Sequence, residues 1–155
     1  MVHEVDDPIA VLNRMRESLL ISYRYDASGR MLVMVLDYYR GRAPGADRAF
    51  LRIRFDGVSK FMRVPGTFAE LQRFTDVYST RDTRAATVLQ DVKINEKARP
   101  MTMVLGFGDF GGLSFNCTGV AGSSRNTRAI DRGREQWDYF DFENGVPIDF
   151  YEPFH

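Results

Sequence analysis

Hydrophobic and polar residues alternate along much of the chain, which is the pattern of half-buried β-strands. The clearest case is the stretch 48–64, RAFLRIRFDGVSKFMRV, where Asp56-Gly57 separates two alternating runs. Asp-Gly favours a tight type I′ turn, so this stretch predicts a β-hairpin that pairs Leu51 with Met62. One face of the hairpin is then apolar. The other combines cationic and aromatic side chains, namely Phe50, Arg52, Arg54, Phe61 and Arg63.

A second hairpin is predicted over 19–38, with its loop at Ser28-Gly29. Large side chains fill one face in only one register, and a slip by one residue would mix the two faces. The pairs in that register are Tyr25 with Leu32, Tyr23 with Met34, Ile21 with Leu36, and Leu19 with Tyr38.

Two further hairpins follow from turn signals nearer the end of the chain. Asp109-Phe110-Gly111 fits a three-residue loop within 101–120, pairing Phe107 with Leu113, Leu105 with Phe115, and Met103 with Cys117. Asn144-Gly145 predicts a last hairpin, pairing Phe142 with Pro147 and Tyr139 with Phe150. Because proline donates no backbone hydrogen bond, the strand over 146–151 is expected at a sheet edge.

Capping residues predict two short helices. Asp6 or Asp7 before Pro8 starts one over about 8–16, and Thr67 with Glu70 starts another that ends near Tyr78. A strand is expected over 87–94, and loops over 40–47 and 121–136. The prediction is a single domain, 1–155, of the α+β class. It is mainly antiparallel β, with hairpin-built sheets and two short helices.

Composition narrows the classes of function. Twenty-one basic residues balance twenty-one acidic ones, so net charge draws the chain neither to nucleic acid nor to anionic membranes. No apolar run reaches the roughly 18 residues of a membrane span, and the first residues do not resemble a signal peptide. A single cysteine, Cys117, makes a reducing cytoplasm the simplest setting. The sequence indicates no oligomeric state.

Candidate catalytic residues are few. His3 and His155, the only histidines, lie at the chain ends, which disfavours histidine-based catalysis or a zinc site. Cys117 is expected in the core rather than as a nucleophile. Asp37, Asp56 and Asp109 lie near predicted strand ends, where aspartate is common for structural reasons. We therefore expect a protein that is not an enzyme and uses no cofactor or metal. A small enzyme with a carboxylate site ranks third, after protein binding and nucleic-acid binding.

Two charged surfaces are candidates for binding. The Arg/Phe face of 48–64 has two interpretations. It could hold single-stranded RNA or DNA by stacking and phosphate contacts, or it is an ordinary outer strand face whose arginines pair with Asp or Glu on a neighbouring strand. Residues 135–155 hold six carboxylates, seven aromatic residues and no Lys or Arg. So many aromatic residues are expected to pack on the domain, with Trp137 as the anchor and the acids outward. Asp138 and Asp141 are the candidate contacts of a protein partner there.

The strand-rich layout, with LRIRFDGVSKF in mid-chain and an acidic, aromatic end, resembles small bacterial immunity proteins. These are cytoplasmic, non-catalytic, β-rich or α+β domains that neutralise a toxin by binding it. The resemblance implies a protein partner and transfers no functional residue. The predicted function is therefore that of a non-enzymatic binding protein with a protein partner. Single-stranded nucleic acid binding is the alternative.

Overall fold

The computed structural model describes residues 1–38, 46–67, 76–82 and 87–155, and antiparallel β-strands dominate these residues. Nine of the described strands form one sheet that curls into a half-barrel. They are β1 (Val2–Glu4), β2 (Leu19–Asp26), β3 (Met31–Tyr38), β4 (Arg48–Asp56), β6 (Val77–Ser79), β7 (Thr87–Val88), β11 (Gly119–Gly133), β12 (Gln136–Asp141) and β13 (Pro147–Ile148). The second sheet contains β5 (Ser59–Pro65), β8 (Asp91–Asn95), β9 (Met101–Gly106) and β10 (Gly111–Cys117).

The large sheet runs in the order β13-β12-β11-β4-β3-β2-β6, with β1 beside β11 and β7 beside β2. The small sheet runs in the order β5-β10-β9-β8. The strand predicted over 87–94 is divided between the two sheets, since β7 pairs with β2 and β8 pairs with β9. The mainly antiparallel β architecture is thus confirmed.

Helices contribute little to the described residues. α1 (Pro8–Asn13) begins as predicted, because the Asp7 side chain accepts a hydrogen bond from the Ala10 backbone N–H at 3.1 Å. It ends three residues before the predicted end. Two 3₁₀ turns, Thr80–Asp82 and Gly108–Phe110, complete the helical content of the described residues. Residues 68–75 of the second predicted helix lie outside the described residues. That helix does not reach Tyr78, which lies in β6, so an α+β fold with two helices is not confirmed.

The predicted 48–64 hairpin is wrong. β4 pairs with β3 on one side and β11 on the other, while β5 pairs with β10 in the second sheet. Gly57 has the positive φ of +60° that the Asp-Gly signal predicted, but the chain crosses between sheets there. The backbone of Asp56 accepts a hydrogen bond from Thr118, and Val58 donates one to Arg30. A turn signal is local, whereas a strand with a neighbour on each side has its backbone N–H and C=O groups paired on both edges.

The 19–38 hairpin is confirmed around its loop and altered at its far end. Tyr23 lies opposite Met34, and Tyr25 opposite Leu32. A β-bulge between Leu20 and Ser22 shifts the remaining pairs, so that Leu20 rather than Ile21 faces Leu36, and Leu19 faces Asp37. The bulge inserts one residue and so directs Ile21 to the opposite face of the sheet. Both Leu20 and Ile21 are fully buried, because each face has its own apolar cluster.

The 101–120 hairpin has the predicted faces in a shifted register. Leu105 pairs with Leu113, Met103 with Phe115, and Met101 with Cys117. The 3₁₀ turn Gly108–Phe110 lengthens the loop by two residues on one side. A shift of two residues keeps every side chain on its face, because side chains alternate with a period of two. The predicted core face is therefore correct although the predicted pairs are wrong.

The predicted loop over 121–136 is wrong, because most of it is β11, the longest described strand. β11 pairs with β4 from Gly119 to Thr127, with β1 near Ser124, and with β12 beyond Thr127. Its sequence, GVAGSSRNTRAIDRG, is small and polar and has no hydrophobic alternation. Hydrogen bonds to these neighbouring strands satisfy its backbone, and that stabilisation leaves no sequence pattern.

The last hairpin is shifted by two residues, with Tyr139 opposite Ile148 and Phe140 opposite Pro147. β13 lies at the edge of the large sheet, as its proline predicted.

The main core lies between the two sheets. The Phe55 and Phe115 rings meet edge to face at 4.9 Å across the interface, and Cys117 is fully buried there as predicted. A smaller cluster lies on the outer face of the large sheet, where Ile21, Phe50 and Ile148 are buried beneath the C-terminal segment. The predicted packing of residues 135–155 on the domain is confirmed by this cluster.

Candidate protein-binding surface

The predicted Arg/Phe surface is not assembled. Phe50, Arg52 and Arg54 alternate along the outer face of β4, but Phe61 and Arg63 belong to β5 in the second sheet. The Phe61 ring stacks on Tyr25 with a centroid distance of 4.1 Å and packs against the main core. The predicted face required a hairpin that does not form, so its five residues separate into two groups.

The three residues on β4 have other contacts. Phe50 is buried and meets Tyr139 and Phe150 edge to face, at centroid distances of 6.1 and 5.8 Å. The Arg52 guanidinium lies 4.8 Å from the Phe154 ring centroid, and Arg54 Nε donates to Asp56 at 3.1 Å. These contacts favour the interpretation of an ordinary outer strand face, whose arginines are paired. A nucleic-acid site would need open aromatic rings on which bases could stack.

Asp141, predicted as a partner contact, is instead a buried structural residue. It is 2% exposed, and its Oδ2 accepts a hydrogen bond from Arg125 Nε at 2.8 Å and another from the N-terminal amine. Its Oδ1 accepts the backbone N–H groups of Glu143 and Asn144 at 2.9 and 3.1 Å.

Arg125 in turn joins Asp141 to the last residues of the chain. Its Nη1 donates to the Pro153 carbonyl at 2.8 Å, and burial lowers the pKa of its guanidinium. The Arg125–Asp141 pair therefore fixes both the turn after β12 and the segment that covers Phe50.

The three candidate carboxylates are dispersed. Asp37 and Asp56 lie at opposite ends of the β3–β4 pair, six residues apart in register and hence roughly 20 Å apart. Asp109 lies in the 3₁₀ turn of the second sheet. Within the described residues, no group of three or more His, Cys, Asp or Glu side chains is arranged to hold a metal ion.

Asp37 has the most perturbed environment of the three. It is 3% exposed and forms an ion pair with Arg48, while its Oδ1 has no partner among the described residues. Desolvation raises the pKa of Asp37 to about 6, although Arg48 acts in the opposite direction. A raised pKa is common at functional sites, but a buried ion pair also produces it.

Among the described strands, a two-stranded ribbon extends beyond the end of the β4–β11 pairing. β4 accompanies β11 only as far as Thr127, and from there to Gly133 the described partner of β11 is β12. Arg134 and Glu135 join the two strands with φ values of 53° and 61°, as a two-residue type I′ turn requires. Residues 128–140 form this ribbon, with β13 beside Tyr139 and Phe140 at its base, and we call it the β-arm.

Trp137 is not the predicted anchor of the tail. It lies opposite Asp131 on the β-arm, and its side chain is 45% exposed. Phe50, Tyr139 and Phe150 make the packing contacts that were expected of Trp137. The sequence predicted an aromatic anchor. Trp137 and Tyr139 share one face of β12, and only the extent of the neighbouring strands shows that Tyr139 rather than Trp137 packs on the sheet.

The β-arm and residues 147–151 line an open pocket of about 510 Å³. Aromatic rings dominate its wall, with Tyr139 and Phe150 at a centroid distance of 5.3 Å, and Phe150 and Tyr151 at 5.4 Å. Trp137 also lines the pocket, together with Asp138 and Asp149. We call it the aromatic–acidic pocket.

The carboxylates of this pocket are accessible. Asp138 and Asp149 are each half-exposed, and they pair with Arg132 at 2.6 Å and with Arg81 at 3.2 Å. Asp138 was a predicted binding residue, whereas Asp149 enters the pocket through the pairing of β13 with β12. The acidic, aromatic composition of 135–155 was the sequence signal for this site.

Two other clefts on the described surface are at least as large. One of about 550 Å³ lies between Arg24, Arg52 and Phe154, and one of about 650 Å³ lies between Arg30, Arg99 and Cys117. The aromatic–acidic pocket differs from both because the exposed Trp137 lines it. Exposed aromatic side chains of this size are the feature most typical of protein interfaces.

No protein-family model matches the chain, and neither a curated protein nor a solved structure matches it. None of the described helices is long and apolar enough to cross a membrane.

Proposed function

We propose that this is a non-enzymatic binding protein that recognises a protein partner through the β-arm and the aromatic–acidic pocket. The observation that carries the proposal is the exposure of Trp137 and Tyr151, which are 45% and 39% exposed on two sides of one pocket. Large apolar rings left in water are costly, and tryptophan and tyrosine dominate the energetics of protein interfaces.

The rigidity of the surface supports the same proposal. Trp137 lies on a paired ribbon rather than a free loop, and Tyr139 at the base of the ribbon packs on Phe50. The Arg125–Asp141 pair holds the chain immediately after the ribbon. A surface ordered before binding loses little conformational entropy when a partner docks.

The most specific form of the proposal is an inhibitor of the immunity type, which neutralises a toxin in the cytoplasm by occupying it. Residues 128–152 carry six carboxylates besides the buried Asp141, and three arginines, which suits a cationic partner. The single cysteine, buried and unpaired, is compatible with a reducing compartment. Co-expression with the product of a neighbouring toxin gene, scored as cell survival, tests this form.

The test of the general proposal is a binding measurement with matched variants. A partner captured with the full chain is purified, and its Kd is measured by calorimetry for the parent, Trp137→Ser and Val104→Ser. Val104 is the control because it is similarly exposed, at 42%, but lies on β9 in the second sheet. We expect Trp137→Ser to weaken binding by about 2 kcal/mol or more, roughly thirtyfold, and Val104→Ser to leave it unchanged.

Two results would count against the proposal. One is a partner that binds Trp137→Ser as tightly as the parent. The other is tight, steeply salt-dependent binding of single-stranded RNA by the full chain, which would favour a nucleic-acid function instead.

A further inference from the structure

We infer that a phosphate group binds in a cleft at the seam between the two sheets. The cleft has a volume of about 650 Å³ and lies where the chain passes from one sheet to the other, at Gly57 and again at Thr118. A Cβ atom at position 57 would collide with the Thr118 side chain, so glycine lets the two crossing segments lie in contact there. Arg30 and Arg99 line this seam cleft, and no Asp or Glu side chain among the described residues does.

Each sheet contributes one of the two arginines. Arg30 comes directly before β3 of the large sheet, and Arg99 lies in the turn before β9 of the small sheet. The Arg30 carbonyl accepts a hydrogen bond from the Val58 N–H at 2.8 Å, and Arg30 Nε donates to the Val58 carbonyl at 3.3 Å. Arg99 Nη1 donates to the carbonyls of Glu96 and Ala98, at 2.8 and 3.3 Å. Both guanidinium groups are therefore held in place by the backbone before a ligand arrives.

These backbone contacts leave the positive charge of both arginines uncompensated. A carbonyl oxygen carries no net charge, and neither arginine forms an ion pair within the described part of the chain. A guanidinium has N–H donors on all three nitrogens, so both Nη groups of Arg30, and Nε and Nη2 of Arg99, are left to donate to a ligand. The carboxylate of Asp56, next to the cleft, is already paired, because both its oxygens accept from Arg54 Nε, at 3.1 and 3.3 Å.

The chemistry of the wall favours phosphate over other anions. A phosphate monoester has three terminal oxygens that share up to two negative charges, and arginine pairs with such a group through parallel N–H donors. The Ser59 hydroxyl lines the same cleft and is a further donor. Pro100 and Met101 add an apolar wall, and the volume lies within the roughly 300–1,000 Å³ of ordinary ligand pockets. The seam cleft thus suits a small phosphate monoester whose organic part contacts Pro100 and Met101.

Isothermal titration calorimetry on the full chain, at low ionic strength to limit screening, tests the inference with phenyl phosphate, benzoate and inorganic phosphate. Phenyl phosphate and benzoate share a ring and differ in the anionic group. We expect saturable binding of phenyl phosphate, and binding of benzoate about tenfold weaker, because a carboxylate has fewer oxygens and less charge. Inorganic phosphate distinguishes the two sources of the group. Weaker binding than phenyl phosphate indicates an organic phosphate, and equal or tighter binding indicates free phosphate.

Matched substitutions locate the site. Arg30→Gln and Arg99→Gln should each weaken binding of phenyl phosphate about tenfold, since each removes charge-assisted hydrogen bonds. Arg134→Gln is the control and should bind as the parent does. Arg134 is likewise an exposed turn arginine with a positive φ, 53° against 51° for Arg30, but it lies on the β-arm. Urea denaturation verifies that each variant is folded, and Arg99→Gln keeps the test decisive if the loss of the Val58 contact destabilises Arg30→Gln.

Three results would overturn the inference: no saturable binding of phenyl phosphate at millimolar concentration, binding of benzoate as tight as that of phenyl phosphate, or parent-like binding by folded Arg30→Gln and Arg99→Gln. An equal loss in Arg134→Gln would overturn it as well, because the effect would then reflect net charge rather than this cleft. The seam cleft shares no lining residue with the aromatic–acidic pocket, so the inference stands or falls independently of the proposed function.

Discussion

Substituting Asp141 by asparagine should destabilise the protein more than any exposed charge substitution. Asp141 is 2% exposed and Arg125 is 8% exposed, so the pair is largely screened from water. Asparagine keeps the size of the side chain and one oxygen for the Glu143 and Asn144 backbone N–H groups. It removes the negative charge opposite Arg125, and its amide donors replace the oxygen that accepted from Arg125 Nε.

The magnitude follows from the cost of an uncompensated buried charge. Removing one member of a buried ion pair typically costs about 3–5 kcal/mol. That cost should appear in the free energy of unfolding of Asp141→Asn, measured by urea denaturation with circular dichroism and Trp137 fluorescence. Asp138→Asn is the matched control, because Asp138 pairs with Arg132 on the surface and such pairs contribute only about 0–1 kcal/mol.

A double-mutant cycle tests the reason for the loss. Arg125→Met with Asp141→Asn removes the orphaned cation as well, so the double variant should be clearly less destabilised than the sum of the two single variants. The reasoning is refuted if Asp141→Asn costs less than about 1 kcal/mol, or if the two substitutions are additive.

Three further predictions concern the core and the C-terminal segment. The folded pKa of Asp37, about 6, exceeds its ordinary 3.8, so the folded chain binds this proton more tightly than the unfolded chain does. The free energy of unfolding of the parent, relative to that of Asp37→Asn, should therefore fall by up to ~3 kcal/mol as pH rises from about 4 to 7. Urea denaturation at several pH values measures this difference, and a difference that stays flat or rises with pH would contradict the prediction. Burial raises the pKa of the Cys117 thiol to about 11, so a thiol reagent should label Cys117 only after unfolding. Rapid labelling of the folded chain would show that Cys117 is not buried. Truncating the chain after Arg134 uncovers Ile21 and Phe50, which should lower the free energy of unfolding by roughly 1.5–3 kcal/mol for each side chain. The truncated chain should therefore be insoluble or unfold at a lower urea concentration than the parent. Unfolding at the parent's urea midpoint would refute the covering role of the C-terminal segment.

Sequence reasoning was most successful where the responsible interaction is local. The Asp7-Pro8 helix start depends on one side chain reaching a backbone N–H three residues away, and the structure contains that hydrogen bond. The Tyr23–Met34 and Tyr25–Leu32 pairs lie close to their loop, where few registers are available. The core faces of β9 and β10 were also predictable, because the period-2 pattern survives a two-residue shift.

The candidate site was predictable in composition but not in geometry. An acidic, aromatic segment that packs on the domain could be read from residues 135–155, and Asp138 was among the predicted contacts. The opposite environments of Asp141 and Trp137 could not be read in the same way. The two residues lie on the same face of β12 and differ in which strands lie beside them. Asp141 is buried against Arg125 on β11, and Trp137, four residues earlier, lies on the part of β12 that extends past β4.

The sequence by itself determined which strand faces are apolar, where several turns lie, and that the end of the chain must be covered. Only the tertiary structure decided which strands become neighbours: β4 lies between β3 and β11 rather than against β5, and the polar segment β11 lies inside the sheet. The physical reason is that backbone hydrogen bonds are nearly the same for every pair of strands. Partner choice therefore depends on the free energy of the whole sheet, to which residues distant in the chain contribute as much as the turn between two strands.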